Sequence, residues 1–135
     1  MPLSRDTLLV GVPTDGVYRS VDRGATWTIP NVGLTDLDLT EIVASPEFAS
    51  TAYAATTGGG IFVTTDGGTS WTAQNTGITN LNIESITISP SNPTVMYAGS
   101  DNGEIFKSPD RGITWLDITG DLAAAVAVND LFVHP

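Results

Sequence analysis

Three aspartates recur at intervals of 44 residues, each among hydroxyl residues and a glycine: Asp22, Asp66 and Asp110. Carboxylates beside hydroxyl groups are the residue types that serve in general acid–base catalysis and in binding hard cations. Each aspartate, however, stands in the phrase Ser/Thr-x-Asp-x-Gly-x-Thr/Ser-Trp, which is rich in turn-forming residues. Its carboxylate can accept the N–H groups of its own turn, while glycine permits a positive φ. The pattern therefore predicts a structural turn rather than catalysis or metal binding.

The tryptophan that closes each phrase has a predicted packing role. It buries a large apolar area, and its indole N–H needs one polar partner. A constant interval of tens of residues is typical of repeat proteins. The residues predicted to hold the three turns are Ser20, Asp22, Gly24, Thr26, Trp27, Thr64, Asp66, Gly68, Ser70, Trp71, Ser108, Asp110, Gly112, Thr114 and Trp115.

Short apolar runs bounded by turn residues surround each phrase and predict four strands in each 44-residue unit. The third unit departs from the others, because residues 121–126 have the composition of a short helix and the Asn-x-Gly motif of Asn31 and Asn75 lacks a full counterpart. The expected strands span 7–12, 17–20, 26–29, 39–44, 51–56, 60–64, 70–73, 84–88, 94–99, 104–108, 114–117 and 126–133.

The composition narrows the classes of partner. The formal net charge of −10 repels phosphate backbones and anionic lipid, so neither nucleic acid nor membrane is an expected partner. The sequence contains no cysteine, which excludes disulfides and thiolate metal sites. It has no apolar run near the roughly 18 residues of a membrane span and no basic start leading into one. We expect a soluble chain without a signal peptide, and its native compartment stays open.

The phrase and its surroundings resemble the Asp-box, or BNR, repeat. The flanking motifs Asn-x-Gly-Ile/Leu, Ile-x-x-Ser-Pro, Tyr-Ala and Gly-Ile/Val-Phe/Tyr also match, so the resemblance covers nearly the whole chain. Sortilin-like, sialidase-like and photosystem-assembly-factor propellers share this repeat. The resemblance implies an all-β propeller of four-stranded blades. It also implies that each Asp-box lies at the hairpin between the third and fourth strands of a blade, away from the pocket face.

The period predicts a single segment, residues 1–135, with repeats of approximately 2–45, 46–89 and 90–135. Each repeat runs from the second strand of one blade to the first strand of the next. Three blades are too few for a ring, since propellers usually have about 4–8. The terminal strand is therefore expected to pair with another copy, head to tail. A dimer would give six blades and a trimer nine, the dimer being favoured.

The residues that sialidases and other hydrolases use are mostly lacking. Sialidase-like members hold a carboxylate with three arginines, but Arg23 and Arg111 occupy the variable position of Asp-boxes. Glycosidases need two carboxyls ~5–9.5 Å apart, and no spare aromatics accompany such a pair here. His134, the one histidine, has no nucleophile motif to serve. We therefore expect no enzyme, and a scaffold or a module that binds protein or peptide. One alternative is a fragment of a glycan-processing propeller, and another is an engineered or excised fragment without a ligand.

Four carboxylates fall in or just before the expected innermost strands, which border the central channel of a propeller: Asp38, Glu41, Glu84 and Asp130. Ring symmetry would bring several of them around one axis, an oxygen-rich environment suited to Ca²⁺ or Mg²⁺. The alternative is that they are simply solvated along the rim. No other cofactor is expected.

Overall fold

The computed structural model describes residues 6–122 and 127–134, which form antiparallel β-strands without a helix. This confirms the predicted all-β class. The ten strands are β1 (Leu8–Val12), β2 (Gly16–Ser20), β3 (Leu39–Ala44), β4 (Ala52–Thr56), β5 (Gly60–Thr64), β6 (Thr72–Ala73), β7 (Ile83–Ile88), β8 (Met96–Ser100), β9 (Ile105–Ser108) and β10 (Leu116–Asp117).

Two four-stranded sheets and one smaller sheet form the blades of a propeller. Strands β3 to β6 make blade 2 and strands β7 to β10 make blade 3, each as a meander in which sequence neighbours pair. Strands β1 and β2 belong to blade 1, where an isolated bridge between Arg19 and Thr28 replaces a fourth strand. Short turns between antiparallel neighbours explain this order, because two-stranded hairpins need no crossover.

The innermost strand of each complete blade has an irregularity at the same place. The register between β3 and β4 shifts between Leu39 and Glu41, and that between β7 and β8 shifts between Ile83 and Ser85. A bulge leaves one residue outside the ladder and redirects its side chain. The hydroxyl of Thr40 accordingly donates to the carbonyl of Ile83 in the next blade, at 2.7 Å.

The apolar core lies between the blades rather than within one sheet. One cluster joins blades 1 and 2 and includes Val17, Leu34, Phe62 and Trp71. The other joins blades 2 and 3 and is composed of buried residues from both sheets, among them Tyr53, Ile61, Ile83, Phe106 and Trp115. Removing these faces from water is the main force that holds successive blades together.

The outermost strands are shorter than the sequence predicted. Expected strands 70–73 and 114–117 contract to β6 and β10, and 26–29 contracts to the bridge at Thr28. For 70–73 and 114–117 the physical reason is a competing partner: the N–H of Trp71 donates to Val32 in the preceding blade, at 2.7 Å. The N–H of Trp115 donates to Thr76 in the same way, at 2.8 Å.

The predicted terminal strand, 126–133, is not a strand within the described residues 127–134. Val128 still lies beside blade 3, because its N–H donates to the carbonyl of Ser100 at 2.9 Å and its carbonyl accepts from Ser85 at 3.0 Å. A β-ladder needs a neighbouring strand along its length, and no strand of residues 6–122 supplies one to this segment. In the expected helix at 121–126, Asp121 and Leu122 lie in a turn, and 123–126 fall outside the described residues.

Candidate functional site

The blades have two chemically different ends. The three turns that hold Asp22, Asp66 and Asp110, which we call Asp-box turns after the motif they resemble, follow Ser20, Thr64 and Ser108, the last residues of β2, β5 and β9. They define what we call the box end. At the opposite end lie the loops that enter β3 and β7 and the turns that leave β4 and β8. We call this opposite end the loop end.

The Asp-box carboxylates are bonded within their own turns. Asp66 accepts the hydroxyl of Thr64 at 2.9 Å and the N–H of Ser70 at 2.8 Å. Its second oxygen accepts the hydroxyl of Ser70, while Gly68 donates its N–H to Thr64. The turns around Asp22 and Asp110 repeat this arrangement. The aspartates therefore lie at the box end with both oxygens engaged by turn donors.

These bonds keep the box carboxyls ionised. The hydroxyl and N–H of Thr26 and the hydroxyl of Ser20 lower the pKa of Asp22 to about 2. Thr114 and Ser108 lower the pKa of Asp110 in the same way. For Asp66, burial raises the pKa, but the bonds from its turn outweigh burial and the net pKa is lowered. A carboxyl with a lowered pKa cannot deliver a proton near neutral pH.

The described arginines have partners inside the chain. Arg111 pairs with Glu47 at 2.8 Å and Arg23 pairs with Asp6 at 2.8 Å, both from the variable position of an Asp-box. The guanidinium of Arg19 donates to the carbonyl of Gly67, also at 2.8 Å. Arg5 lies outside the described residues. The arrangement expected of a sialidase, three arginines around one carboxylate, is not formed by these three.

The four carboxylates proposed for the channel have separate surroundings. A carboxylate oxygen of Glu41 accepts the N–H of Ile86 at 2.8 Å, whereas Asp38 is exposed in the loop before β3. Glu84 is half-buried on β7, and Asp130 is exposed with its carboxylate accepting the N–H of Leu131. Among the described residues, no group of three or more acidic or histidine side chains is placed to hold a metal ion.

A cluster that the sequence did not reveal lies at the loop end of blade 3. The carboxylate of Asp101 accepts the amide of Asn80 at 2.8 Å and the amide of Asn82 at 2.9 Å. The bonds from Asn82 and then Asn80 lower the pKa of Asp101. A signal was available in the sequence, because Asn80 and Asn82 follow Asp36 and Asp38 by one repeat. None of these four residues is apolar, so hydrophobic packing does not explain them.

The acidic loop of blade 2 lies next to that cluster. Asp36 accepts the N–H of Asp38 at 3.0 Å, and the carbonyl of Asp38 accepts the N–H of Thr57 at 3.0 Å. Thr57 in turn bridges to Asn82. The loop end therefore carries a continuous row of carboxylates and carboxamides across two blades, which we call the Asp/Asn row: Asp36, Asp38, Asn80, Asn82 and Asp101.

The chemistry of this row suits a ligand rich in hydroxyl groups. A carboxylate accepts hydrogen bonds, and a carboxamide both donates and accepts them. An ionised carboxylate such as Asp101 can also act as a base or stabilise developing positive charge. The neighbouring Gly58–Gly60 turn joins β4 to β5, two strands, as expected for a hairpin turn.

The comparisons with known proteins identify the fold. No protein-family model and no curated protein matches the chain. Among solved structures, an ancestral GH74 enzyme is 20% identical, with a TM-score of 0.78 over 96% of this chain. A GH74 enzyme of Niastella koreensis is 17% identical and the GH74 xyloglucanase of Xanthomonas campestris is 15% identical. Their TM-scores are both 0.48, over 85% and 86% of this chain and 28% of each of theirs.

The chain spans 18% of the length of the ancestral GH74 enzyme. The first similarity supports the β-propeller fold, whereas the Asp-box family itself is not matched by any family model. The sequence-based prediction that the chain is not an enzyme is contradicted, because the solved structure that it matches with a TM-score of 0.78 is a GH74 enzyme. The non-catalytic scaffold gains no support from this similarity. No helix of the described residues is long and apolar enough to cross a membrane.

Proposed function

We propose that the chain is a segment of a glycoside-hydrolase-type β-propeller and takes part in glycan processing. The observation that carries the proposal is the alignment of 96% of the chain with an ancestral GH74 enzyme at a TM-score of 0.78. The Asp/Asn row adds chemistry at one end of that fold. It offers donors and acceptors at spacings set by two adjacent blades.

Within the row, Asp101 has the properties of the ionised partner in glycoside hydrolysis. Its bonds to Asn80 and Asn82 hold the carboxylate in place and lower its pKa. Glycosidases pair such a group with a second carboxyl that donates a proton to the leaving group. Asp36 and Asp38 lie on the adjacent blade and are the other carboxylates in the row. The remaining contacts to a glycan would come from other blades, since the chain covers 18% of the ancestral enzyme.

The charge of the chain favours a neutral glycan over an anionic one. The formal net charge is −10, and the row adds carboxylates at the binding end without a described arginine among them. Like charges repel an acidic sugar at this surface, whereas neutral hydroxyl groups gain hydrogen bonds. We expect binding of neutral polysaccharides and little binding of uronic-acid or sialic-acid glycans.

The test compares two carboxyls at opposite ends of the fold. Hydrolysis of neutral polysaccharides and aryl glycosides is measured together with binding by calorimetry, for the wild-type chain and for Asp101→Asn. The substitution keeps the size of the side chain and removes its charge, and it also replaces one of the two oxygens that accept from Asn80 and Asn82 by a donor. It should lower turnover by about 100-fold if Asp101 acts in the reaction. Glu47→Gln, at the box end, is the matched control and should change neither quantity. Absence of both binding and turnover across the panel contradicts the proposal.

A further inference from the structure

The three equivalent tryptophans differ sharply in exposure. Trp71 and Trp115 are 3% and 2% exposed, whereas Trp27 is 42% exposed. The loop before each buried tryptophan's blade explains the difference. Val32 accepts the N–H of Trp71 and Thr76 accepts the N–H of Trp115, but no described residue supplies this contact to Trp27.

The repeat indicates which residue would cover Trp27, and that residue is itself exposed in this chain. Leu34 belongs to the buried cluster around Trp71, and Ile78 packs against the cluster around Trp115. One repeat further on stands Leu122. It is 52% exposed, whereas Leu34 is 5% exposed. The contacts of Leu34 with Trp71 and of Ile78 with Trp115 are made inside the chain. Leu122 and Trp27 are the equivalent pair, and both are exposed.

The same complementarity holds for the innermost strand. Strand β4 lies between β3 and β5, and β8 lies between β7 and β9, but among the described residues β1 pairs only with β2. The face of β1 is also open: Leu8 is 43% exposed, although its equivalents Ala52 and Met96 are buried. An edge strand with unpaired backbone groups and exposed apolar side chains is a template for another strand.

Residues 128–133 occupy the repeat position of β3 and β7, because the third repeat carries one extra residue before its closing proline. They already follow blade 3, since Val128 bonds to Ser100 and Ser85. In the two complete blades, Ala44 lies opposite Ala52 and Ile88 lies opposite Met96. Continued into the third repeat, this register places Val133 opposite Leu8 and Phe132 opposite Leu9. Phe132 is 83% exposed and Leu8 is 43% exposed in the single chain, so both sides of the pairing lack cover.

We propose that the open face of blade 1 binds residues 119–122 and 127–134 of a second copy of this chain, head to tail. The segment supplies an inner strand to β1 and places Leu122 over Trp27. Two such contacts close a ring of two chains and six blades, within the usual range for propellers. The interface continues one that is built twice inside the chain, and the proposal does not depend on glycan processing.

The test uses the whole 135-residue chain and one substitution on each face. Light scattering after gel filtration at micromolar concentration should give twice the 14.1 kDa of one chain. Leu8→Asp on the head and Leu122→Asp on the tail should each weaken association by about 100-fold, because both bury charge in the interface. Both side chains are exposed in the single chain, so far-ultraviolet circular dichroism should show both variants folded.

Mixing separates a head-to-tail interface from a symmetric one. In a mixture of equal amounts, the Leu122→Asp chain keeps an unaltered head and the Leu8→Asp chain keeps an unaltered tail. These two surfaces can still form one intact interface, so the mixture should recover a dimer. Ile113→Asp is the control, since its equivalent Thr69 is exposed in blade 2 despite neighbours on both sides. A monomeric wild-type chain overturns the proposal. So does a dimer that survives either Leu8→Asp or Leu122→Asp, or two variants that do not complement each other.

Discussion

The backbone N–H of Trp71 donates to the carbonyl oxygen of Val32 across 2.7 Å, and this bond joins blade 2 to blade 1. Thr76 and Trp115 repeat the bond between blades 2 and 3. In each case the next residue after the acceptor is a glycine, Gly33 or Gly77. The Asn-x-Gly motif seen in the sequence is therefore part of the joint between blades.

Replacing either glycine by alanine should loosen that joint. Gly33 and Gly77 have φ values of 81° and 94°, and a Cβ at these positions would overlap the carbonyl oxygens of Trp71 and Trp115. Because backbone must move, Gly33→Ala and Gly77→Ala should each lower the free energy of unfolding by at least about 2 kcal/mol in urea. Gly120 also has a positive φ, but a Cβ there would make only an ordinary contact of 3.7 Å with the carbonyl oxygen of Ile118, so Gly120→Ala should cost about 1 kcal/mol. Equal losses at all three positions would contradict this account.

The Asp-boxes should make the protein sensitive to acid. The pKa of Asp22 is lowered to about 2, and those of Asp66 and Asp110 are also lowered. An unfolded aspartate titrates near pH 4. Their contribution to stability is therefore fully present above about pH 4 and is lost as the pH falls toward the folded-state values. We expect the melting temperature to drop by several degrees between pH 4 and pH 2.

Two variants assign that acid transition to one turn. Asp66→Asn removes the titrating group, so the melting temperature should start lower at pH 7 and depend less on pH below 4. Ser70→Ala keeps the carboxylate but removes a donor that lowers its pKa, so the loss should begin at a higher pH than in wild type. A wild-type pH slope in Asp66→Asn would assign the transition elsewhere.

Glu41 links blade 2 to blade 3 through one hydrogen bond. Its carboxylate accepts the N–H of Ile86 at 2.8 Å in a half-buried position. Glu41→Ala leaves that N–H without its acceptor and should cost about 1–3 kcal/mol. Glu41→Gln retains an acceptor oxygen and should cost less than half as much. Hydrogen exchange at the Ile86 amide gives the direct readout. It should become faster in Glu41→Ala and stay unchanged in Glu41→Gln.

Asn75 holds the hairpin between β4 and β5. Its amide oxygen accepts the N–H of Ile61 at 2.8 Å and its amide nitrogen donates to Gly59 at 3.0 Å. Asn75→Asp places a carboxylate against the carbonyl of Gly59 and should cost about 1–3 kcal/mol. Asn75→Thr should cost less, because Thr119 already performs the accepting half of this role for Ile105 in blade 3. Urea unfolding of both variants measures the order, and the reverse order would argue against this role.

Much of the fold was predictable because its signals are local. The span 39–44 was expected as a strand and is β3, Leu39–Ala44, since an apolar β-prone run ends at the Ser45-Pro46 turn. The Asp-box turns also follow from local chemistry, because donors and acceptors stand within a few residues of each other. The expected strand at 126–133 failed for the opposite reason. A strand is completed by a distant partner, and the sequence does not show whether that partner is present.

The sequence by itself determined the 44-residue period, the order of strands and turns in each repeat, and the turns that hold Asp22, Asp66 and Asp110, because each depends on residues close together along the chain. Only the tertiary structure decided which of three equivalent tryptophans is exposed, that Glu41 bonds to Ile86, and that Asn80 and Asn82 converge on Asp101. These contacts join residues about 20 or more positions apart, through loops and bulges whose course depends on how one blade packs on the next. Side-chain type fixes what each group can bond to, and the packing of the blades fixes which partner it meets.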